Sequence, residues 1–311
     1  MMMGRRKFVA GALGGTAALC AGLEVHGEEA APFSAGDERP KFKAPANTCD
    51  AHFHIYDSRF PPAANASLIP PDASLEAYAK LRDRLGFERS VIVQPSTYGT
   101  DNSCMLSALG KLGARARGIA VVDTSVTDET LEQLDKAGVR GIRFNLGRAG
   151  ATTVDMIEPL SRRVADLGWH IQLHMPGDDI AANAERLKRL PVTVVFDHLG
   201  RIPEPAGTGH PAFSIIAAML EKGKAYVKLS SIYQDTKIGP PSYGDMGTLA
   251  QGYLKVAPDR VLWASDWPHP SPGKFGKPND ALLMDLAAEW AGDEATRQKV
   301  FVDNAAGLYG F

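Results

Sequence analysis

The sequence contains few cysteines and no excess of either charge. Three cysteines in 311 residues, at positions 20, 49 and 104, are too few for a disulfide scaffold and wrongly spaced for a structural zinc site. Lys and Arg number 34 against 36 Asp and Glu, so the overall positive field that holds nucleic acid is missing. With 44% hydrophobic and 23% charged residues, the composition excludes a disordered chain and is typical of a globular, enzyme-sized protein.

A long hydrophobic run is also missing. The apolar segment that ends at Leu23 is short and contains two adjacent glycines, which argues against a stable membrane anchor. It follows Arg5 and Arg6, and paired arginines before a weakly hydrophobic run resemble a twin-arginine export signal. We therefore predict an export signal over residues 1–27, the twin-arginine machinery as a partner and a periplasmic location.

The rest of the chain predicts one large domain after a linker. Residues 28–46 are polar and without periodicity, as expected of a linker, and residues 47–311 alternate between apolar runs and helical patterns. Strands are predicted near 48–55, 89–95, 117–123, 139–145, 169–175, 192–198, 225–230 and 260–266. Helices are predicted at 74–85, 103–112, 128–137, 154–167, 178–190, 211–222, 245–256 and 280–291, with a C-terminal helix around 294–308.

This order predicts a single-domain (β/α)8 barrel of the TIM type. Strands separated by helical crossovers pair in parallel, and the chemistry of such barrels sits at the carboxyl ends of the strands. A doubly wound open sheet is the alternative fold, but no glycine-rich phosphate-binding fingerprint follows the first strand. The reactive side chains are therefore expected at the carboxyl ends of the strands.

The first strand carries a pair of histidines. Asp50, His52 and His54 are spaced two residues apart, and the strand period predicts that all three face the same side. Two histidines at this spacing can share one metal ion or flank one substrate oxygen.

The fourth and fifth strands offer groups suited to anion binding. Arg143 precedes the end of its strand, and its planar fork suits a carboxylate, although an internal salt bridge explains it too. Arg148 lies in the following loop. In the fifth strand, Gln172 and His174 are predicted to face the interior, where His174 is either a metal ligand or a hydrogen-bond donor to substrate.

The last three strands add a histidine, a lysine and a carboxylate. His198 falls where the sixth strand stops, and Arg201 lies in the loop beyond it. Lys228 on the seventh strand is explained equally well by function or by pairing with an acid. Asp266 ends the eighth strand, where a carboxylate beside histidines can activate water as a general base or accept a metal.

Taken together, these residues resemble the amidohydrolase superfamily. The resemblance runs from about Thr48 to Phe311 and is carried by the two histidines of the first strand, His198 and Asp266. Five ordered segments, Asp50–Asp57, Arg140–Asn145, Asp197–Arg201, Ser265–His269 and Asn304–Tyr309, resemble more narrowly the 2-pyrone-4,6-dicarboxylate lactonase-like branch. Members of that branch open or rearrange lactones.

The resemblance implies hydrolysis of a small anionic lactone. It makes Asp266 the general base for water, and it assigns the other catalytic and substrate-binding roles to a larger set. His52, His54 and His198 would polarise the lactone carbonyl, and Arg143, Arg148 and Arg201 would hold substrate carboxylates. The strand pattern, rather than the resemblance, adds Gln172 and His174 as substrate contacts.

No obligatory metal is expected. Metal-rich members of the superfamily carry a bridging Lys or Glu on the fourth strand, where this chain has Arg143 and Asn145. The alternative is one zinc ion held by His52, His54, His174 and Asp266.

Three other functions remain open from the sequence. A zinc-dependent decarboxylase of an aromatic or muconate-type acid and a lactone isomerase use the same superfamily scaffold. A periplasmic binding protein is the non-enzymatic alternative, but binding alone does not require a general base such as Asp266.

Overall fold

The computed structural model describes Met1, residues 30–148 and residues 150–311. Apart from Met1, the predicted export signal lies outside the described residues. Within them, eight parallel strands hydrogen-bond to one another in chain order, which confirms the predicted (β/α)8 barrel. The strands are β1 Cys49–Phe53, β2 Arg89–Val93, β3 Ala116–Ala120, β4 Val139–Asn145, β5 His170–His174, β6 Val194–Phe196, β7 Ala225–Leu229 and β8 Val261–Trp263.

The first and last strands meet at their carboxyl ends. The Asp266 N–H donates to the His52 carbonyl at 2.8 Å, and the His54 N–H donates to the Trp267 carbonyl, also at 2.8 Å. The segments after β1 and β8 are therefore joined at the end of the barrel where chemistry is expected.

Helices follow the strands and cover the barrel. Those in the described part of the chain are α1 Leu75–Leu85, α2 Ser103–Leu112, α3 Asp128–Lys136, α4 Ile157–Ala165, α5 Gly177–Ala182, α6 Ala184–Lys188, α7 Pro211–Glu221, α8 Ile232–Asp235, α9 Gly244–Val256, α10 Asp280–Ala291, α11 Glu294–Gln298 and α12 Asn304–Tyr309. Local signals explain many of the ends. Helix α1, for example, begins after Ser74, whose side chain accepts from the Ala77 N–H, and ends at Gly86, which has a φ of 80°.

The helix predictions differ from the structure in three places. The predicted helix 178–190 is divided at Asn183 into α5 and α6. The predicted C-terminal helix consists of α11, a π-helical turn over Lys299–Asp303, and α12. The short helix α8 was not predicted, and it carries residues of the site described below.

The described part of the predicted linker has neither helix nor strand, yet it packs against the barrel. The Trp267 indole N–H donates to the Pro32 carbonyl at 2.7 Å, and the Phe33 ring meets the same indole edge-on at 5.5 Å between centroids. Arg84 of α1 donates to the carbonyls of Ala35, Gly36 and Glu38. Residues 31–38 therefore form part of the wall behind α1 and β8.

The cysteines and the helix lengths are relevant to disulfide formation and to membrane anchoring. Cys49 and Cys104 are both buried free thiols. No helix in the described ranges is both long and apolar enough to cross a membrane.

Candidate active site

Asp266 occupies a constrained backbone position at the end of β8. Its φ is +62°, a left-handed conformation that costs free energy for a residue other than glycine. Two backbone hydrogen bonds hold this conformation. The Asp266 N–H donates to the His52 carbonyl, and the Asp266 carbonyl accepts from the His269 N–H at 2.9 Å. The backbone thus directs a 1% exposed carboxylate toward the strand ends.

The four predicted catalytic residues come together around this carboxylate. Asp266 Oδ1 lies 3.6 Å from Nε2 of both His52 and His54 and 3.9 Å from Nε2 of His198. Within the described residues this oxygen has no hydrogen-bond partner, whereas Oδ2 accepts from the Tyr233 hydroxyl at 2.7 Å. One oxygen is therefore anchored and the other is available to a reacting group.

Burial sets the protonation of these groups. It raises the pKa of Asp266, although His269 and the bond from Tyr233 oppose part of the rise, so the carboxylate is a stronger base than usual. Burial and the nearby Arg143 lower the pKa of His54 to about 3. Burial also holds the pKa of His52 and that of His198 well below the usual value, so all three imidazoles are neutral at neutral pH.

The orientation of the imidazoles is fixed from behind. His54 Nδ1 lies 2.7 Å from the Val93 carbonyl, and because a carbonyl only accepts, Nδ1 carries the proton and Nε2 presents a lone pair. His198 Nδ1 lies 2.8 Å from the Ser230 hydroxyl. His54 thus presents a lone pair toward Asp266, whereas the Ser230 hydroxyl can donate or accept and so allows His198 Nε2 to carry a proton.

The same donors suit a single divalent cation. His52, His198 and Asp266 each offer one ligand atom, and these three atoms lie within 4.8 Å of one another. Two imidazole nitrogens and a buried carboxylate oxygen without a partner are the kind of ligand set that zinc prefers.

His174, a member of the predicted zinc set, is committed elsewhere. Its Nδ1 lies 2.9 Å from Asn145 Oδ1, and its Nε2 accepts from Arg201 Nη1 at 2.7 Å. Because both ring nitrogens are engaged, the structure does not assemble the four-ligand site of His52, His54, His174 and Asp266.

A second buried carboxylate, Asp197, supports the site from below. Its Oδ2 accepts from Arg143 Nε at 3.2 Å and from Gln172 Nε2 at 3.1 Å. Its Oδ1 lies 3.2 Å from His52 Nδ1 and 3.6 Å from Lys228 Nζ. Burial alone would raise the pKa of Asp197, but the positive charges of Lys228 and Arg143 and the nearby His52 imidazole outweigh it and hold that pKa well below the usual value.

This network shows what Lys228 and Gln172 contact inside the barrel. Lys228 is fully buried, donates to Gln172 Oε1 at 2.7 Å and faces Asp197, and burial lowers its pKa to about 8. Gln172, predicted to contact the substrate, lies between Lys228 and Asp197 and does not line the pocket. Asp197 begins one of the five segments that carry the family resemblance, but its neighbours in the sequence do not indicate its partners.

Asp50 does not share the inward face predicted for it. The register between β1 and β2 shifts between Asp50 and Phe53, so the two-residue period is broken there. Asp50 accepts from the Tyr78 hydroxyl of α1 at 2.8 Å and from the Ser265 hydroxyl at 2.6 Å. His52 and His54 alone of the three reach Asp266.

The three predicted anion-binding arginines lie in different surroundings. A pocket at the strand ends is lined by Arg143 and Arg148 together with Tyr56, Ser96, His174, His198, Asp266 and Ser271. Arg143 is buried, whereas Arg148 is exposed and donates to Ser271 Oγ at 2.7 Å. Arg201 does not line this pocket.

Sequence reasoning missed a buried chain of groups behind Asp266. The Tyr233 hydroxyl lies 3.0 Å from His269 Nδ1, and His269 Nε2 lies 2.9 Å from Asp280 Oδ2. All three residues are at most 1% exposed. Tyr233 and His269 followed strands in the sequence, but only the fold shows that they meet.

Comparison with known proteins places the chain among enzymes. The family model described as Amidohydrolase matches residues 49–311. A 2-pyrone-4,6-dicarboxylate hydrolase of Comamonas testosteroni is 37% identical over 287 residues, which cover 88% of this chain and 94% of the relative. A 4-sulfomuconolactone hydrolase of Hydrogenophaga intermedia is 32% identical, covering 87% and 91%. A crystal structure of an Agrobacterium tumefaciens protein matches with a TM-score of 0.81 at 26% identity, covering 88% and 98%.

Proposed function

The chain belongs to the amidohydrolase family, in its 2-pyrone-4,6-dicarboxylate lactonase-like branch, and from this we propose that it hydrolyses a small anionic lactone. The observation that carries the proposal is the free Oδ1 of Asp266, buried and aimed at three neutral imidazoles beside an arginine-lined pocket. Two similar proteins named as lactone hydrolases support the reaction class.

In the proposed reaction, Asp266 Oδ1 removes a proton from water as the water oxygen bonds to the lactone carbonyl carbon. The π electrons of the carbonyl move to its oxygen, which faces the imidazoles and the Arg143 guanidinium. When the carbonyl re-forms, the ring carbon–oxygen bond breaks and the leaving oxygen takes the proton from Asp266. The product is an open-chain acid, so turnover releases one proton at neutral pH. Preorganised donors near the developing oxyanion supply much of the rate.

The donor set formed by His52, His198 and Asp266 can also hold one divalent cation, which would polarise the carbonyl and lower the pKa of a bound water. We propose that hydrolysis does not require it, because Asp266 supplies the base and Arg143 a positive charge. Activity that survives dialysis against a strong chelator supports this. Loss of activity that zinc restores would assign the three residues as ligands instead.

The first experiment follows acid release from lactones bearing one or two carboxylates. We expect Asp266→Asn to lower turnover by roughly 1,000-fold or more while thermal unfolding stays unchanged, since the amide keeps the shape but not the basicity. The exposed Asp155→Asn variant is the matched control. Near-normal turnover by Asp266→Asn would contradict the assignment, and carbon dioxide release from an aromatic acid would favour a decarboxylase.

We also propose that the protein is exported to the periplasm. Support comes from Arg5 and Arg6 before the weakly apolar segment. Cell fractionation should find the wild-type chain in the periplasm and the Arg5→Lys, Arg6→Lys double variant in the cytoplasm. If the wild-type chain and the double variant were found in the same compartment, the proposal would be contradicted.

A further inference from the structure

Arg201 uses its donors within the protein. Its Nε and Nη2 reach the two oxygens of Asp235 at 2.6 and 2.8 Å, and its Nη1 donates to His174 Nε2 at 2.7 Å. This two-point contact is the geometry in which an arginine normally holds a carboxylate ligand. Asp235 thus occupies the place that a substrate carboxylate would take on Arg201.

The two arginines that do line the pocket differ in their charge balance. Arg143 forms an ion pair with Asp197 through its Nε. Arg148 is exposed at the pocket and donates to Ser271 Oγ, and in the described part of the chain it forms no ion pair. In the described residues, Arg148 is therefore the pocket-lining arginine whose charge no carboxylate balances.

On the basis of the proposed function, we infer that the site selects lactones with a single anionic group, held by Arg148 and Ser271, and that Asp235 determines this selectivity. A second substrate carboxylate directed at Arg201 would meet the negative charge of Asp235. It would have to break a paired contact whose two side chains are only 20–23% exposed. Repulsion of this kind is a common means of rejecting a wrong ligand.

The kinetic experiment compares a 2-pyrone bearing one carboxylate with 2-pyrone-4,6-dicarboxylate. We expect the wild-type enzyme to have the higher kcat/KM on the monocarboxylate. Asp235→Asn frees Arg201 and should raise kcat/KM on the dicarboxylate by about tenfold relative to the monocarboxylate. Asp155→Asn, which removes the acid partner of Arg186 at an exposed site, should leave the ratio unchanged. A wild-type preference for the dicarboxylate, or an unchanged ratio in Asp235→Asn, would overturn the inference.

A binding experiment separates this inference from the proposed reaction. Benzoate and isophthalate present one and two carboxylates on a ring that cannot be hydrolysed, and calorimetry measures their affinity directly. We expect the wild-type protein to prefer benzoate, Asp235→Asn to gain affinity for isophthalate, and Arg148→Gln to lose benzoate binding by about tenfold. If these preferences hold but no lactone is turned over, the proposed function fails and the charge selectivity stands. Preference for isophthalate, or binding of neither ring, overturns the selectivity whatever the turnover.

Discussion

At the scale of single residues, the activity of Asp266 depends on how its two oxygens are used. Tyr233 holds Oδ2 and leaves Oδ1 facing the imidazoles, so the carboxylate has one productive orientation. His269 and Asp280 hold Tyr233 in turn. A base that is already oriented avoids the cost of ordering it in the transition state.

Replacing Tyr233 with Phe should therefore lower kcat by about tenfold and change KM little, since one hydrogen bond to the base is lost. The same change removes a bond that stabilises the charged carboxylate, so the pKa of Asp266 should rise further. Because the base works only when deprotonated, activity falls as pH falls through that pKa. The acidic limb of the kcat/KM profile should move to higher pH.

Tyr226→Phe is the control for this change, because that tyrosine is also buried but bonds Arg260 and does not line the pocket. An acidic limb at the same pH in Tyr233→Phe and wild type would show that Tyr233 does not act on the base.

At the scale of elements, the alternation of apolar runs and helical patterns predicted every strand and most helices. The predicted orientation of side chains was wrong where a contact distant in sequence breaks the two-residue period of a strand. Asp50 accepts hydrogen bonds from Tyr78 and Ser265, which lie far from it in sequence, and the register of β1 shifts after it. Asp266, which is left-handed at the end of β8, likewise donates its N–H to the His52 carbonyl of β1. The candidate site was found because reactive side chains follow the strands, whereas their partners could not be read from local pattern.

The buried charges between β4, β5, β6 and β7 give a prediction about stability. Lys228→Met removes the ammonium beside Asp197 and leaves that carboxylate buried with fewer positive partners. Breaking one side of a buried network costs roughly 3 kcal/mol, to be measured as the change in free energy of unfolding in urea.

The matched control is Lys188→Met on α6, where the lysine pairs with Glu185 at the surface. An exposed pair contributes less than about 1 kcal/mol, so this variant should unfold like the wild type. Equal stabilities for Lys228→Met and Lys188→Met would mean that Asp197 does not need the lysine.

At the scale of the whole molecule, the barrel is completed by a segment that precedes it. The family match begins at residue 49, yet residues 31–38 contact both α1 and the indole of Trp267, which directly follows Asp266. The polar composition of this segment predicted its lack of helix and strand but not its contacts, because these are made mainly through backbone carbonyls. Residues 31–38 therefore connect helix α1 with Trp267, the neighbour of the proposed base Asp266.

A chain beginning at residue 44 should consequently be less stable and less active than one beginning at residue 30. Arg84 is only 6% exposed and would keep the Asn279 side chain but lose its acceptors in residues 34–38. Because removal of the segment also uncovers the guanidinium to water, each lost hydrogen bond costs about 1 kcal/mol net, and Trp267 would also lose its contacts to Pro32 and Phe33. Thermal unfolding and lactone turnover of the two chains measure both effects.

The double-mutant comparison identifies the cause of this difference. Arg84→Met should destabilise the chain beginning at residue 30, where the guanidinium donates to the segment, and have little effect in the chain beginning at residue 44, where those acceptors are missing. The two changes are then strongly non-additive, as expected for groups in direct contact. Additive effects would mean that Arg84 and the segment act independently. Equal melting temperatures for the two chains would mean that residues 30–43 do not contribute to the stability of the barrel.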